Sequence, residues 1–95
     1  KSMSFTPVDL VLADVEIEIV RAKTLHGATP FHSAHEGFAV LDEERDELWD
    51  EIKTNPKAYA TAMDPFGTKA WRNRMRKEAI QLAAMAVRFV AEVCG

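Results

Sequence analysis

The chain has 95 residues, 47% of them apolar and 28% charged, with 4 Gly and 4 Pro; these are the proportions of a globular chain with room for one core and not two. They exclude a disordered or collagen-like chain, and a net charge of −3 at pH 7 excludes a global basic field, so duplex nucleic acid is not an expected partner. The single cysteine, Cys94, has no internal disulfide partner, and the first residues lack the charged, apolar and small-residue order of a secretory leader, which makes a reducing cytoplasm the expected compartment. The most apolar stretch, residues 79–93, is interrupted by Gln81, Arg88 and Glu92 and falls short of the ~20 residues a bilayer requires, so no membrane partner is expected.

Thr6 followed by Pro7 reads as an N-cap and a first helical position, where proline's missing N–H is not needed. Val8, Val11, Leu12, Val15, Ile19, Ala22 and Leu25 then recur at spacings of three and four, one apolar stripe of a helix running to about residue 25 and closed by Gly27 and Pro30. The alternation VEIEIV at 15–20 would suit a strand in isolation; the flanking helical period outweighs it. Ser33 with Glu36 three residues later reads as a capping box that opens a second helix from about 34 to 53, with Phe38, Leu41, Leu48 and Ile52 directed to a core. Asn55-Pro56 and Asp64-Pro65-Phe66-Gly67 are turn signals around a PKAYATAM connector able to form one or two helical turns. From Thr68 to Val93 there is no Gly or Pro, and Trp71, Met75, Ile80, Leu82, Met85, Phe89 and Val93 keep helical spacing. The expected fold is therefore all-α, a single domain over residues 1–95 built as a bundle of three principal helices and a short connector helix. The last helix is apolar nearly all round between 79 and 93, and so short a chain offers it little cover, which predicts a homo-oligomer, a dimer or tetramer.

Residues 42–51 (DEERDELWDE) carry seven carboxylates among ten positions. Glu44 and Glu47, three apart, share one helix face, with Glu36, Glu43 and Glu51 near them. A solvated acidic face is the ordinary reading of such a run, but Glu78 and Gln81 repeat the same spacing among aliphatic residues of the last helix, where polar groups need partners. If the two helices pack together, four oxygen-bearing side chains face one another, a set suited to a hard divalent cation. Lys69, Arg72, Arg74, Arg76 and Lys77 are the one basic concentration, either a solubilising face or a set of phosphate contacts beside Glu78. His26, His32 and His35 lack the Cys or His partners of a zinc site, and His35 reads as a capping or packing residue. Cys94 has no evident base to make it a nucleophile, and Trp49 and Trp71 suit core or interface better than base stacking.

The E-x-x-E at Glu44 and Glu47 within EERDELWDE, followed by a helix with Glu78 in KEAIQLAAMAVRFV, resembles the all-α nucleoside triphosphate pyrophosphohydrolases of the MazG-like group over residues 33–93. The family signature is E-x-x-E followed by E-x-x-D. Gln81 stands where the family has Asp and offers a carbonyl oxygen without charge, and 30 residues separate Glu47 from Glu78, somewhat more than is common. The resemblance implies a Mg²⁺-dependent enzyme, with Mn²⁺ as a substitute, that cleaves nucleoside triphosphates to monophosphate and pyrophosphate. It implies Glu44, Glu47, Glu78 and Gln81 as metal ligands. Glu43 is then the nearest spare carboxylate to accept a proton from water, although it points about 100° away from Glu44 on a helix. Lys69, Arg72, Arg76 and Lys77 are the candidate phosphate contacts. The competing expectation is a non-catalytic helical interaction module with a degenerate metal site.

Overall fold

A computed structural model describes residues 4–95. They form α1 (Pro7–His26), α2 (Ala34–Ile52), a 3₁₀ turn (Pro56–Tyr59) and α3 (Thr68–Phe89), whose last turn continues as a π-helical segment, Val90–Cys94. The all-α expectation holds. Among the described residues, strand-like pairing is limited to one isolated bridge, Thr61 with Asp64, inside the connector, and no helix is long and apolar enough to cross a membrane.

The helix starts follow from short-range hydrogen bonding. Thr6 Oγ1 accepts from the Asp9 amide at 3.1 Å and Asp9 Oδ2 accepts from the Thr6 amide at 2.9 Å, which satisfies two amides at the start of α1 reciprocally. At α2, Ser33 Oγ accepts from the Glu36 amide at 3.1 Å as expected. The returning half of that box differs: Glu36 accepts from the His32 amide at 3.1 Å and meets His32 Nδ1 at 2.9 Å, one residue further back than the cap. The His32 contacts hold the Glu36 carboxyl below the usual range. At α3 the N-cap is Gly67, which has no side chain to offer, and Asp64 takes the role by accepting from the amides of Lys69 at 3.4 Å and Ala70 at 3.0 Å.

α3 lies between the other two helices. α1 runs parallel to it, with Asp14 paired to Arg76 and Thr29 O accepting from Arg88 Nη2 at 3.5 Å. α2 runs antiparallel, with Glu51 O accepting from Trp71 Nε1 at 2.9 Å and Gly37 set against the ring of Phe89 near the far end. Val15, Ala22, Ala84 and Met85 are the buried core, with Ile19, Phe31, Val40, Leu41, Ile80 and Ala83 packed against it. This is a narrower core than the periodicity predicts. Val8, Leu12, Leu25 and Ile52 stay exposed, and Phe38 is 63% exposed. The period is right, but α1 and α2 each have only α3 to lean on, and that contact covers the middle of a stripe and leaves its ends open.

The outcome is a slab of 46 × 44 × 20 Å with a radius of gyration of 16.0 Å, where a compact chain of this length has about 12 Å. The accessible surface is 7064 Å², against the roughly 5,500 Å² usual for a folded monomer of 10.6 kDa. Exposed apolar side chains contribute to it, Phe38, Met63, Phe66 and Val90 among them.

Gly67 has φ +68, and a Cβ there would stand 1.8 Å from the Pro56 carbonyl oxygen; Gly27 has φ +88 with nothing within 4 Å of such an atom. Gly67→Ala therefore meets strain and a backbone clash, whereas Gly27→Ala meets strain alone. The expected losses on thermal unfolding are upwards of about 2 kcal/mol for the first and about 1 kcal/mol for the second, and equal losses would contradict the close approach.

Candidate metal centre

Helix geometry brings Glu44 and Glu47 of α2 to one face, and the antiparallel crossing of α3 carries Glu78 to meet them. Each contributes one carboxylate oxygen to a group whose members all lie within 4.8 Å of one another. Glu47 is exposed at the rim, while Glu44 and Glu78 are half-buried. Glu44 Oε2 and Glu78 Oε2 are individually buried and have no hydrogen-bond partner. A buried carboxylate oxygen without a donor costs on the order of 1–3 kcal/mol or more, so these two atoms are what a solvated acidic face does not explain.

The electrostatics agree with the geometry. Burial, then the adjacent Glu47, then the charges on Glu78 and Glu43, push the Glu44 carboxyl up to about 7. Burial and Glu47 also raise Glu78, against a smaller downward pull from Lys77. Glu51, near the cluster in sequence, is drawn elsewhere: it accepts from Tyr59 Oη at 2.9 Å and from Arg74 Nε at 3.2 Å, which hold its carboxyl below the usual range.

Glu43, Glu44 and Gln81 line a cavity of about 470 Å³ between α1, α2 and α3. Gln81 therefore sits on the Glu44 side of the site, one turn beyond Glu78. The rest of the wall mixes apolar Ala22, Phe31, Val40 and Met85 with Glu18, Arg21, His26 and Arg88. Arg21 is held by Glu18 at 2.6 Å. Arg88 is held by Glu92 at 2.8 Å, and its guanidinium stacks 4.5 Å from the Phe31 ring centroid.

The basic stretch of α3 divides on folding. Arg76 turns to Asp14 of α1, Arg74 to Glu51 and the Tyr59 ring, and only the charge of Lys77 is felt at Glu78. Lys69 and Arg72 are exposed, and the cavity wall does not include them. The cations that the fold does bring beside the carboxylates come from α1 and the far end of α3. Arg88 carried a signal in the sequence, a charge inside an aliphatic run; Arg21 and His26 carried none. Of the remaining candidates, His35, Cys94 and Trp49 are exposed, and the indole of Trp71 is used in packing α3 on α2.

The chain matches no protein-family model, no curated protein and no solved structure.

A carboxyl that titrates higher in the folded chain than in the unfolded one binds its proton more tightly when folded, so stability falls as pH rises from about 4.5 to about 7. Glu36, Glu51 and Glu92 are shifted the other way, and their contribution is lost only below the usual carboxylate range. In metal-free buffer, wild type should lose melting temperature relative to Glu44→Gln across pH 4.5–7. Parallel curves would show that Glu44 is not a crowded carboxyl.

Proposed function

We propose that this chain is a Mg²⁺-dependent nucleotide pyrophosphohydrolase, served also by Mn²⁺, that cleaves (d)NTPs to (d)NMP and pyrophosphate and works in the cytoplasm as a homo-oligomer, a dimer or tetramer. The observation that carries the reading is the pair of buried, unpartnered oxygens on Glu44 and Glu78 within a three-carboxylate cluster. Groups so placed repel one another, and a hard cation satisfies them together. The donor set fits Mg²⁺: three carboxylates, with Gln81 on the cavity wall it shares with Glu44, and an exposed Glu47 for the waters that Mg²⁺ retains.

Glu44, Glu47 and Glu78 would hold the divalent cation, which would supply neutralisation of phosphate oxygens and of the charge that builds on departing pyrophosphate. The chain's own groups do the rest. Arg88 and Arg21, across the cavity from Glu44, offer donors to phosphate oxygens, and Lys77 adds a positive charge beside Glu78. Phe31, Val40 and Met85 give the apolar wall on which a base can rest. Glu43 stands beside Glu44 on the cavity wall and is exposed, so it can accept the proton as water adds across the α–β anhydride and pass it to solvent. The bond between the bridging oxygen and the α-phosphorus breaks, and pyrophosphate leaves.

Gln81 favours the second reading, a helical interaction module with a degenerate metal site, because it withholds a fourth charge. Pyrophosphate release over a panel of (d)NTPs with Mg²⁺ or Mn²⁺ separates the two: turnover is expected from the enzyme and none from the module. Glu44→Gln, Glu47→Gln and Glu78→Gln should each lower turnover by two orders of magnitude or more, about 3 kcal/mol of transition-state stabilisation, with helicity retained. Gln81→Asp should tighten Mn²⁺ binding. Full activity in the three Gln variants would place the site elsewhere.

A further inference from the structure

The end of the cavity formed by Phe31 and Arg88 is held by one carboxylate that does not itself line it. Glu92, in the π-helical segment that follows α3, accepts from Arg88 Nε on Oε2 at 2.8 Å and from Arg88 Nη2 on Oε1 at 3.1 Å, and the same Oε1 accepts from the Phe31 amide at 2.9 Å. Arg88 in turn lies over the Phe31 ring and donates to Thr29 O. Gly37 lets the ring come close, since a Cβ there would stand 3.3 Å from it. Glu92 thus ties the link between α1 and α2 to the end of α3, and fixes two wall residues in doing so.

An exposed ion pair leaves its long side chains free to swing. Here the side chains of Arg88 and Glu92 are only 12% and 13% exposed, and Arg88 holds the Glu92 carboxyl below the usual range, so the pair stays charged at neutral pH. Arg21, by contrast, is 47% exposed beside Glu18 of its own helix. A guanidinium carries five N–H donors. Glu92 and Thr29 occupy Nε and Nη2 of Arg88, while Nη1 has Met85 Sδ at 3.8 Å, and a thioether is a weak acceptor. Met85 lines the same cavity, so the spare donors lie at its wall, where an anionic oxygen is a far better partner than sulfur.

We propose that Glu92 is a positioning residue: through Arg88 it fixes one donor edge, Nη1, to receive a phosphate oxygen of an anion bound in this cavity. The inference rests on the reading of the cavity as a nucleotide site and names the residue that prepares it. A side chain ordered before its ligand arrives loses little rotamer freedom on binding, and Arg88 is so ordered by Glu92, Thr29 and Phe31 together.

The sign of one substitution separates positioning from charge balance. Glu92→Gln removes a negative charge near the anion, so on Coulomb grounds alone binding should tighten; where Glu92 acts by holding Arg88, binding weakens instead. Gln keeps an oxygen for the Phe31 amide, which preserves the fold. Binding of inorganic pyrophosphate to the full chain in Mg²⁺ can be followed by equilibrium dialysis on chains whose helical circular dichroism matches wild type. It should weaken by about tenfold or more in Arg88→Met and by about threefold or more in Glu92→Gln. Glu16→Gln makes the same charge change on the exposed side of α1 and should leave binding as it was. In the Arg88→Met background, adding Glu92→Gln should cost nothing further, because its effect passes through Arg88. Pyrophosphate binding that holds or tightens in Glu92→Gln, that falls equally in both backgrounds, or that is missing from the wild type would overturn the proposal. A chain that binds pyrophosphate in the expected pattern without hydrolysing (d)NTPs keeps this proposal and loses the enzyme; a chain that hydrolyses them while its pyrophosphate affinity ignores Glu92 does the reverse.

Discussion

The second half of α3 is mostly apolar, and α1 and α2 cover one side of it while Val87 and Val90 on the other stay 47% and 61% exposed. The fully buried Ala84 and the neighbouring Met85 sit where α1 and α2 approach from either flank, and small residues on α3 let both come close. Because α1 and α2 both pack on the same helix, the acidic face of α2 is turned toward Glu78 while Arg21 of α1, paired with Glu18, lines the same hollow from the other side. The carboxylate cluster and the cavity beside it are thus consequences of how one apolar helix is clothed. They are not a separate construction laid over the bundle.

That arrangement carries an energetic tension. Three carboxylates within 4.8 Å, two of them with buried unpaired oxygens, oppose the packing that creates them. The fold crowds them together while it pairs several other carboxylates: Glu51 with Arg74, Glu18 with Arg21, Glu92 with Arg88. Glu44, Glu47 and Glu78, with the charge of Glu43 beside them, keep negative potential concentrated at one point. Across the cavity Arg21 and Arg88 are each already paired with a glutamate, Glu18 and Glu92, so the hollow sets paired guanidiniums opposite unpaired carboxylates.

What the sequence discloses and what it withholds follow the range of the interactions involved. The starts at Thr6 and Ser33 are written in hydrogen bonds that span three residues, and Glu44 with Glu47 in a spacing that any helix turns into a shared face. Glu78 joins them through its motif and through being a carboxyl beside an aliphatic run. By contrast, the exposure of Val8 and Phe38 depends on how much of each stripe α3 can cover, which periodicity does not contain. The division of the basic stretch was equally hidden, because Asp14 claims Arg76 from 62 residues away. Glu36 reaching His32, and Asp64 standing in for the side chain that Gly67 lacks, show that even local caps shift by a residue or two when a turn offers a better donor.

The contacts that attach α1 differ from those that join α2 to α3 in how much chain they enclose. Trp71 and Arg74 meet Glu51 across 20 and 23 residues, whereas Asp14 with Arg76 and Phe31 with Glu92 close 62 and 61. Loop closure grows costlier with length, and the parallel α1–α3 contact has no short hairpin to begin from. The α2–α3 hairpin is therefore the natural nucleus and α1 the late arrival. A chain in which α2 and α3 had paired and α1 had not would expose the flank of α3 that holds Ala84 and Met85, the strip of the molecule with most to lose from meeting another chain.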